Sequence, residues 1–428
     1  MVDFKASVGM TESWDARKAG REVAKKTING LGGKKPAFVL LFATIHYEKY
    51  GGFQEFLDGV WEILPVGTPL IGGTVAGFMC REGCFVHGAS AMAVSYLNMD
   101  VAIGIGRNTK KNPQKAAREC VNMIKKQQPK EKYKNNLFLN MISGPITPSF
   151  AGYGVHWIMK EKIMEKIGPA LLKKSVKYLQ KGQGLEDDVV REITKQINKN
   201  DIVFGGSTTD DDKLVRNYQF INKELKENSI IAMRINTDLN IGYGSEHGLH
   251  STGKKFEITK SSQNNRIIEE LNGKSATDVF FNSIGVTKEQ LTDRLHRITF
   301  FYPLGFVDKD KYLCPNAIGA VMCDSIALNY SVKEKNIEIL TTTGQKMVGC
   351  VNKAITSTNI TKPKMGFVIS CMARLESLGN NIYSVRDILN NHFRNYSFLL
   401  IYTGGENIRF PKKEYHHLNE TFNIISIN

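Results

Sequence analysis

Cys371 and Arg374, in the run Cys371-Met372-Ala373-Arg374, stand just past an apolar stretch, where α/β architectures place their clefts. A guanidinium beside a thiol lowers its pKa and makes a nucleophile or an anion anchor. A cysteine closing a buried strand is the plainer alternative for Cys371. Arg374 suits bidentate grip of a carboxylate, and Glu406 would then offer charge complementarity to a cationic group. A catalytic alternative uses Cys371 with His416 or His417 as base and the Gly404-Gly405 amides as an oxyanion site.

Glycine pairs supply the second kind of chemistry. Gly72-Gly73-Thr74, Gly205-Gly206-Ser207 and Gly404-Gly405-Glu406 each follow an apolar run directly. Turns of this composition expose backbone N–H groups able to hold an anion. The expected ligand-binding set is therefore Gly72, Gly73, Thr74, Gly205, Gly206, Ser207, Asp210, Cys371, Arg374, Gly405 and Glu406. Asp210 opens an acidic triplet with Asp211 and Asp212, which reads mainly as a solvated, capping turn.

Other patterns fail their tests. Gly248 to Lys255 nearly spells a phosphate loop, but Lys255 stands where a Ser or Thr should bind magnesium, and Phe256 to Thr259 alternates like a strand. Gly104-Ile105-Gly106 and Gly242-Tyr243-Gly244 lack the third glycine of a dinucleotide fingerprint. No Gly-x-Ser-x-Gly elbow surrounds Ser90 or Ser207. Cys80, Cys84 and His87 lack knuckle spacing and a fourth ligand nearby. Neither a metal site nor a cofactor is expected.

The elements that must position these residues repeat along the chain. A helix with Ala16, Ala19, Val23 and Ala24 on one face starts after the capping residues Thr11 and Ser13. Ala37 to Ala43 reads as a strand buried on both faces, Gly52 to Leu64 as a helix, and Thr68 to Ile71 as a strand ending at the first glycine pair. The order recurs with a strand at Asn135 to Met141, helical sequence from Ile158 to Lys199, and Asp201 to Phe204 entering the second pair. Val86 to Gly106 aligns with Tyr218 to Gly244, which predicts an internal duplication. A looser third copy comprises Met365 to Ser370, a helix from Tyr383 to Arg394, and Phe398 to Thr403 before the third pair; His417 to Ile427 reads as a final strand. Hairpins after each glycine pair must run antiparallel, so the fold class is mixed α/β (α+β), with layered mixed sheets flanked by helices.

Composition narrows the function. A chain of 428 residues with 42% hydrophobic and 23% charged residues builds packed cores over several domain-sized units. Its net charge of +15 comes from 57 Lys+Arg against 42 Asp+Glu. Basic pairs such as Lys34-Lys35, Lys110-Lys111 and Lys254-Lys255 are scattered, which reads as a solvated surface with no nucleic-acid stripe. No apolar run approaches the roughly 20 residues that span a bilayer. Seven dispersed cysteines suit a reducing compartment. A cytoplasmic protein without membrane insertion is expected.

An ordered series of motifs then resembles a known family, the FIST domain (F-box and intracellular signal transduction proteins). Val39 to Ala43 with Pro69 to Gly77 is similar to its first half; Val203 to Ser207, Asp210-Asp211 and Tyr218 to Phe220 to its second glycine motif. His247-Gly248 and Leu271 to Ala276 resemble the segment between the halves, and Tyr302 to Gly305, Ser370-Cys371-x-x-Arg374 and Gly404 to Glu406 the C-terminal half. Gly73, Phe78 and Thr208-Thr209 depart from the family's usual residues. The likeness runs from about Lys35 to the end. It implies a FIST N-like half over residues 1–236, holding related units at about 37–107 and 135–236, and a FIST C-like half over 237–428. It further implies a sensory, signal-transducing protein that binds a small ligand such as an amino acid and acts through a signalling partner protein. A ligand-free interaction module is the other form the family takes.

Overall fold

The computed structural model describes residues 4–128, 130–146, 158–159, 174–182, 184–287, 290 and 295–428. Three six-stranded sheets share one strand order, and that order explains the repeats. In the first, Lys5–Thr11, Ala89–Ser95, Phe38–Ala43 and Leu70–Thr74 lie side by side. In the second the same places are taken by Met99–Arg107, Ser229–Thr237, Asn135–Ser143 and Ile202–Thr208, and in the third by Ile241–Glu246, Phe422–Ile427, Met365–Cys371 and Ser397–Thr403. The last two strands of each set run parallel and the others antiparallel. The duplication is thus a triplication. Each repeat begins one strand earlier than the sequence pattern suggests, since Met99–Arg107 opens the second unit as Lys5–Thr11 opens the first.

The last two places of each sheet are filled by a neighbouring unit. The hairpin Gly77–Cys80 and Gly83–Phe85, from the first unit, pairs with Ser397–Thr403 of the third. Gln219–Ile221 and Glu224–Lys226, from the second, pair with Leu70–Thr74 of the first. Glu406–Arg409 and Tyr415–Leu418, from the third, pair with Ile202–Thr208 of the second. This cyclic exchange closes the three sheets around one core. The stretch expected as a single strand, His417 to Ile427, is consequently two: it leaves the second sheet at Leu418 and enters the third at Phe422.

Alternation along the strands builds the layers. Phe38, Leu40 and Phe42 point to the shared interior, whereas Val39, Leu41 and Ala43 pack under the helices Ala16–Asn29 and Phe53–Trp61. Phe42, Phe204 and Phe367, one from each sheet, meet at the centre with ring centroids 5.8 and 6.0 Å from the last. Pro113–Gln127 and Glu186–Thr194 cover the second sheet, and Gly344–Ser357 and Ile382–Phe393 the third. The Gly-x-Gly pairs serve this packing: a Cβ on Gly106 would lie 1.8 Å from the Ala116 carbonyl oxygen, and one on Gly244 2.0 Å from that of Ala354.

Between Glu246 and Gly344 the third unit is interrupted by an insertion that forms most of a nine-stranded sheet, including the thirteen-residue strand His250–Ser262. The phosphate-loop-like residues lie on that strand, which opens no helix. Of the stretch expected as helical from Ile158 to Lys199, the described residues include a short strand at Ile158–Met159, a π-helical turn at Ser175–Leu179 and the helix Glu186–Thr194; residues 160–173 and 183 lie outside the described residues. Among the described residues no helix is long and apolar enough to cross a membrane.

Candidate functional site

The first two glycine pairs are strand interiors, whereas Gly404-Gly405 forms the bend between Ser397–Thr403 and Glu406–Arg409. Leu70–Thr74 and Ile202–Thr208 run straight through Gly72-Gly73 and Gly205-Gly206, and none of these four has a positive φ. Glycine is needed there because neighbours come too close for a side chain. A Cβ would lie 1.7 Å from the Leu41 carbonyl oxygen at Gly72, 2.5 Å from that of Tyr218 at Gly73, 2.2 Å from that of Asn140 at Gly205 and 2.8 Å from the Thr403 side chain at Gly206. The adjoining amides are engaged within the protein. Thr74 donates to the Tyr218 carbonyl at 2.9 Å, Ser207 to that of Gly405 at 2.8 Å, and Gly404 to that of Ser207 at 3.1 Å. Asp210 is buried, and its carboxylate accepts from the amides of Leu214 and Val215, both at 2.7 Å, so it shapes the loop that follows.

Charge gathers instead where the third sheet's parallel strands end. Arg374, fully buried in the short helix Met372–Ser377, donates from Nη1 to the His247 carbonyl at 3.0 Å and from Nη2 to that of Met347 at 2.9 Å. Among the described residues its Nε has no hydrogen-bond partner. Glu406, also fully buried, accepts from the hydroxyls of Thr421 at 2.8 Å and Thr403 at 3.2 Å. Glu420 completes the group. It turns the chain between the two sheets with φ at +61°, is 3% exposed, and among the described residues its Oε1 has no hydrogen-bond partner.

These side chains feel one another. Burial pushes the Glu420 carboxyl up to about 8 despite the opposing pull of Arg374. Burial first, and Glu420 as a like charge, also push Glu406 up to about 8, against the pull of its hydroxyl partners. Cys371 is held well above the usual thiol range by burial and by both carboxyls, so Arg374 does not activate it. The histidines expected as its base lie elsewhere: His417 Nδ1 sits 2.7 Å from the Asn407 side chain, and His416 faces Cys314 and Asp308. The structure therefore does not bring Cys371 together with His416 or His417. Gly405 packs against His417, where a Cβ would lie 2.7 Å from the ring.

A second buried polar network, absent from the sequence reading, occupies the end of the second sheet. Lys110 is 1% exposed, contrary to its reading as part of a solvated pair. Its Nζ lies 2.9 Å from Ser143 Oγ and 3.2 Å from Asn228 Oδ1, and burial brings its pKa down to about 8. Ser143 in turn donates to Asn217 at 2.9 Å, and Ser207 donates to Glu186 at 2.9 Å. Cys80 and Cys84 lie in one hairpin, and among the described residues they do not form a three-ligand set with His87.

The model of the FIST N domain matches residues 37–274, more than half of the chain. The chain belongs to the FIST domain family. The FIST N match takes in most of the first unit, all of the second, the opening strand of the third and the first part of the insertion, His250–Ser262 and Ile267–Leu271. A search of curated proteins finds no match. Among solved structures, the crystal structure of cyanuric acid hydrolase from A. caulinodans matches at 6% identity over 55% of this chain and 71% of that one, with a TM-score of 0.26. A TM-score of that size establishes neither a shared fold nor a shared activity. Arg374 and Glu420 both lie beyond the matched FIST N residues.

Proposed function

We propose that this FIST protein is a sensor of a small zwitterionic ligand of the amino-acid class, acting through a partner protein. The observation that carries the reading is a pair of buried atoms with no hydrogen-bond partner among the described residues, Arg374 Nε and Glu420 Oε1, a guanidinium and a carboxyl that burial holds up to about 8, at the strand ends of the third sheet. Buried polar groups ordinarily find partners, and a guanidinium beside a carboxyl that can still ionise suits a ligand carrying both complements. The ligand carboxylate meets Arg374 and its ammonium meets Glu420, with Glu406 behind it.

Arg374 also links such a site to the rest of the molecule. Its other nitrogens hold His247, where the insertion leaves the third unit, and Met347, on the helix reached when the chain returns. A ligand that draws on the guanidinium shifts the root of the inserted sheet, which is the surface offered to a signalling partner. A cytoplasmic location accords with that role.

Thermal unfolding of the full chain against amino acids, amines and carboxylic acids tests this. A ligand at one hundred times its Kd stabilises by about 2.7 kcal/mol. The expected shift requires both charged groups on the ligand and is lost in Arg374→Gln and in the shape-conserving Glu420→Gln. A shift that survives both substitutions, or one given equally by simple carboxylic acids, contradicts the proposal.

A further inference from the structure

We propose a transition-metal site, suited to zinc, formed by Asp308, Cys314 and His416. One ligand atom from each lies within 4.8 Å of the others. His416 sits between the other two, with Nδ1 3.8 Å from Cys314 Sγ and Nε2 3.6 Å from Asp308 Oδ2. The Asp308 side chain is 9% exposed, and among the described residues its Oδ2 has no hydrogen-bond partner. All three residues line one small cavity of about 30 Å³, room for an ion or a water but not for an organic ligand.

The donor set selects the metal. Thiolate, imidazole and carboxylate together are borderline-soft, which favours zinc over magnesium or calcium. Zinc–ligand bonds of about 2.0–2.3 Å in a tetrahedron place ligand atoms roughly 3.5 Å apart, so closing from 4.8 Å asks side chains to move on the order of 1 Å. Thiolate and carboxylate neutralise the dication. Of the cations on the cavity wall, Lys333 is drawn aside by Glu414 at 3.8 Å and by the Tyr415 ring at 4.9 Å, and Arg191 is held by Asp188 at 2.7 Å. Asp308 is already oriented, its Oδ1 accepting from the Tyr312 amide at 2.8 Å. Three protein ligands leave a fourth position for water.

The ligands come from separate parts of the chain. Asp308 and Cys314 belong to the inserted hairpin of Leu304–Val307 and Leu313–Asn316, whereas His416 lies on Tyr415–Leu418, the strand lent by the third unit to the second sheet. The metal clips the insertion to the exchanged hairpin.

Cobalt(II), a spectroscopic substitute for zinc, tests the site on full-length protein dialysed against chelator. The expected result is one equivalent bound, with tetrahedral visible bands and a near-ultraviolet thiolate charge-transfer band that zinc displaces. Cys314→Ser abolishes the charge-transfer band, and Asp308→Asn or His416→Gln weakens binding at least about tenfold. On the unaltered protein, zinc protects Cys314 from alkylation while the other six cysteines react unchanged. Absence of cobalt bands, a charge-transfer band retained in Cys314→Ser, or alkylation of Cys314 indifferent to zinc overturns the proposal.

Discussion

Glu420→Gln should remove a large part of the protein's pH-dependent instability while keeping the side chain's shape. Glu420 is 3% exposed, and its carboxyl sits at about 8 against an ordinary 4.5. The folded chain therefore holds a proton that the unfolded chain has released between those values. The stability from this group is fully present below pH 4.5 and is lost as pH rises towards 8. Each pKa unit corresponds to about 1.36 kcal/mol, so a displacement of about 3.5 units amounts to about 5 kcal/mol above pH 8. Urea unfolding of wild type and variant at pH 5, 7 and 9 reads the difference. The variant should differ from wild type by less than about 1 kcal/mol at pH 5 and exceed it progressively towards pH 9. Parallel stability profiles over this range would refute the reasoning, because they would mean that Glu420 ionises in the fold as it does in water.

Other expectations concern the frame around the site. Phe204→Ala empties the point where the three sheets meet and should cost about 3–5 kcal/mol by urea denaturation. Gly106→Ala drives a methyl group into the Ala116 carbonyl, so the helix Pro113–Gln127 must shift; a loss of about 1–3 kcal/mol and faster amide exchange in that helix are expected. Arg266→Ala leaves the buried Asp187 without its main countercharge, with Ser331 at 2.7 Å and Arg191 at 3.8 Å still beside it, and should cost about 3–5 kcal/mol, measured as a lower melting temperature.

The layers of this fold were legible because fully buried strands are apolar without interruption, as in Ala37 to Ala43 and Phe398 to Thr403. Repeated glycine pairs exposed the repeats, and Gly404-Gly405 is the bend expected of it, but the first two pairs expected as turns are strand interiors. Glycine in a strand marks a close neighbour as readily as a turn, and those neighbours, such as Tyr218 beside Gly73, are distant in sequence. The exchange of hairpins leaves no local trace for the same reason. Arg374 and Glu406 were found through their position after strands. Glu420 was missed because it sits inside an otherwise continuous strand pattern, His417 to Ile427, and only its left-handed backbone betrays the turn. Asp308, Cys314 and His416 span more than a hundred residues without any ligand spacing, so only the folded chain brings them together.

If Arg374 and Glu420 jointly receive a zwitterion, binding must displace the proton held by Glu420. Isothermal titration of an α-amino acid found by thermal shift, carried out at pH 6.5 in two buffers of different ionisation enthalpy, tests it most directly. Glu420 is protonated at that pH and must give up its proton to pair with the ligand ammonium. The prediction is release of about one proton per ligand bound, abolished in Glu420→Gln. Binding with no proton release, or with release unchanged in Glu420→Gln, would contradict it.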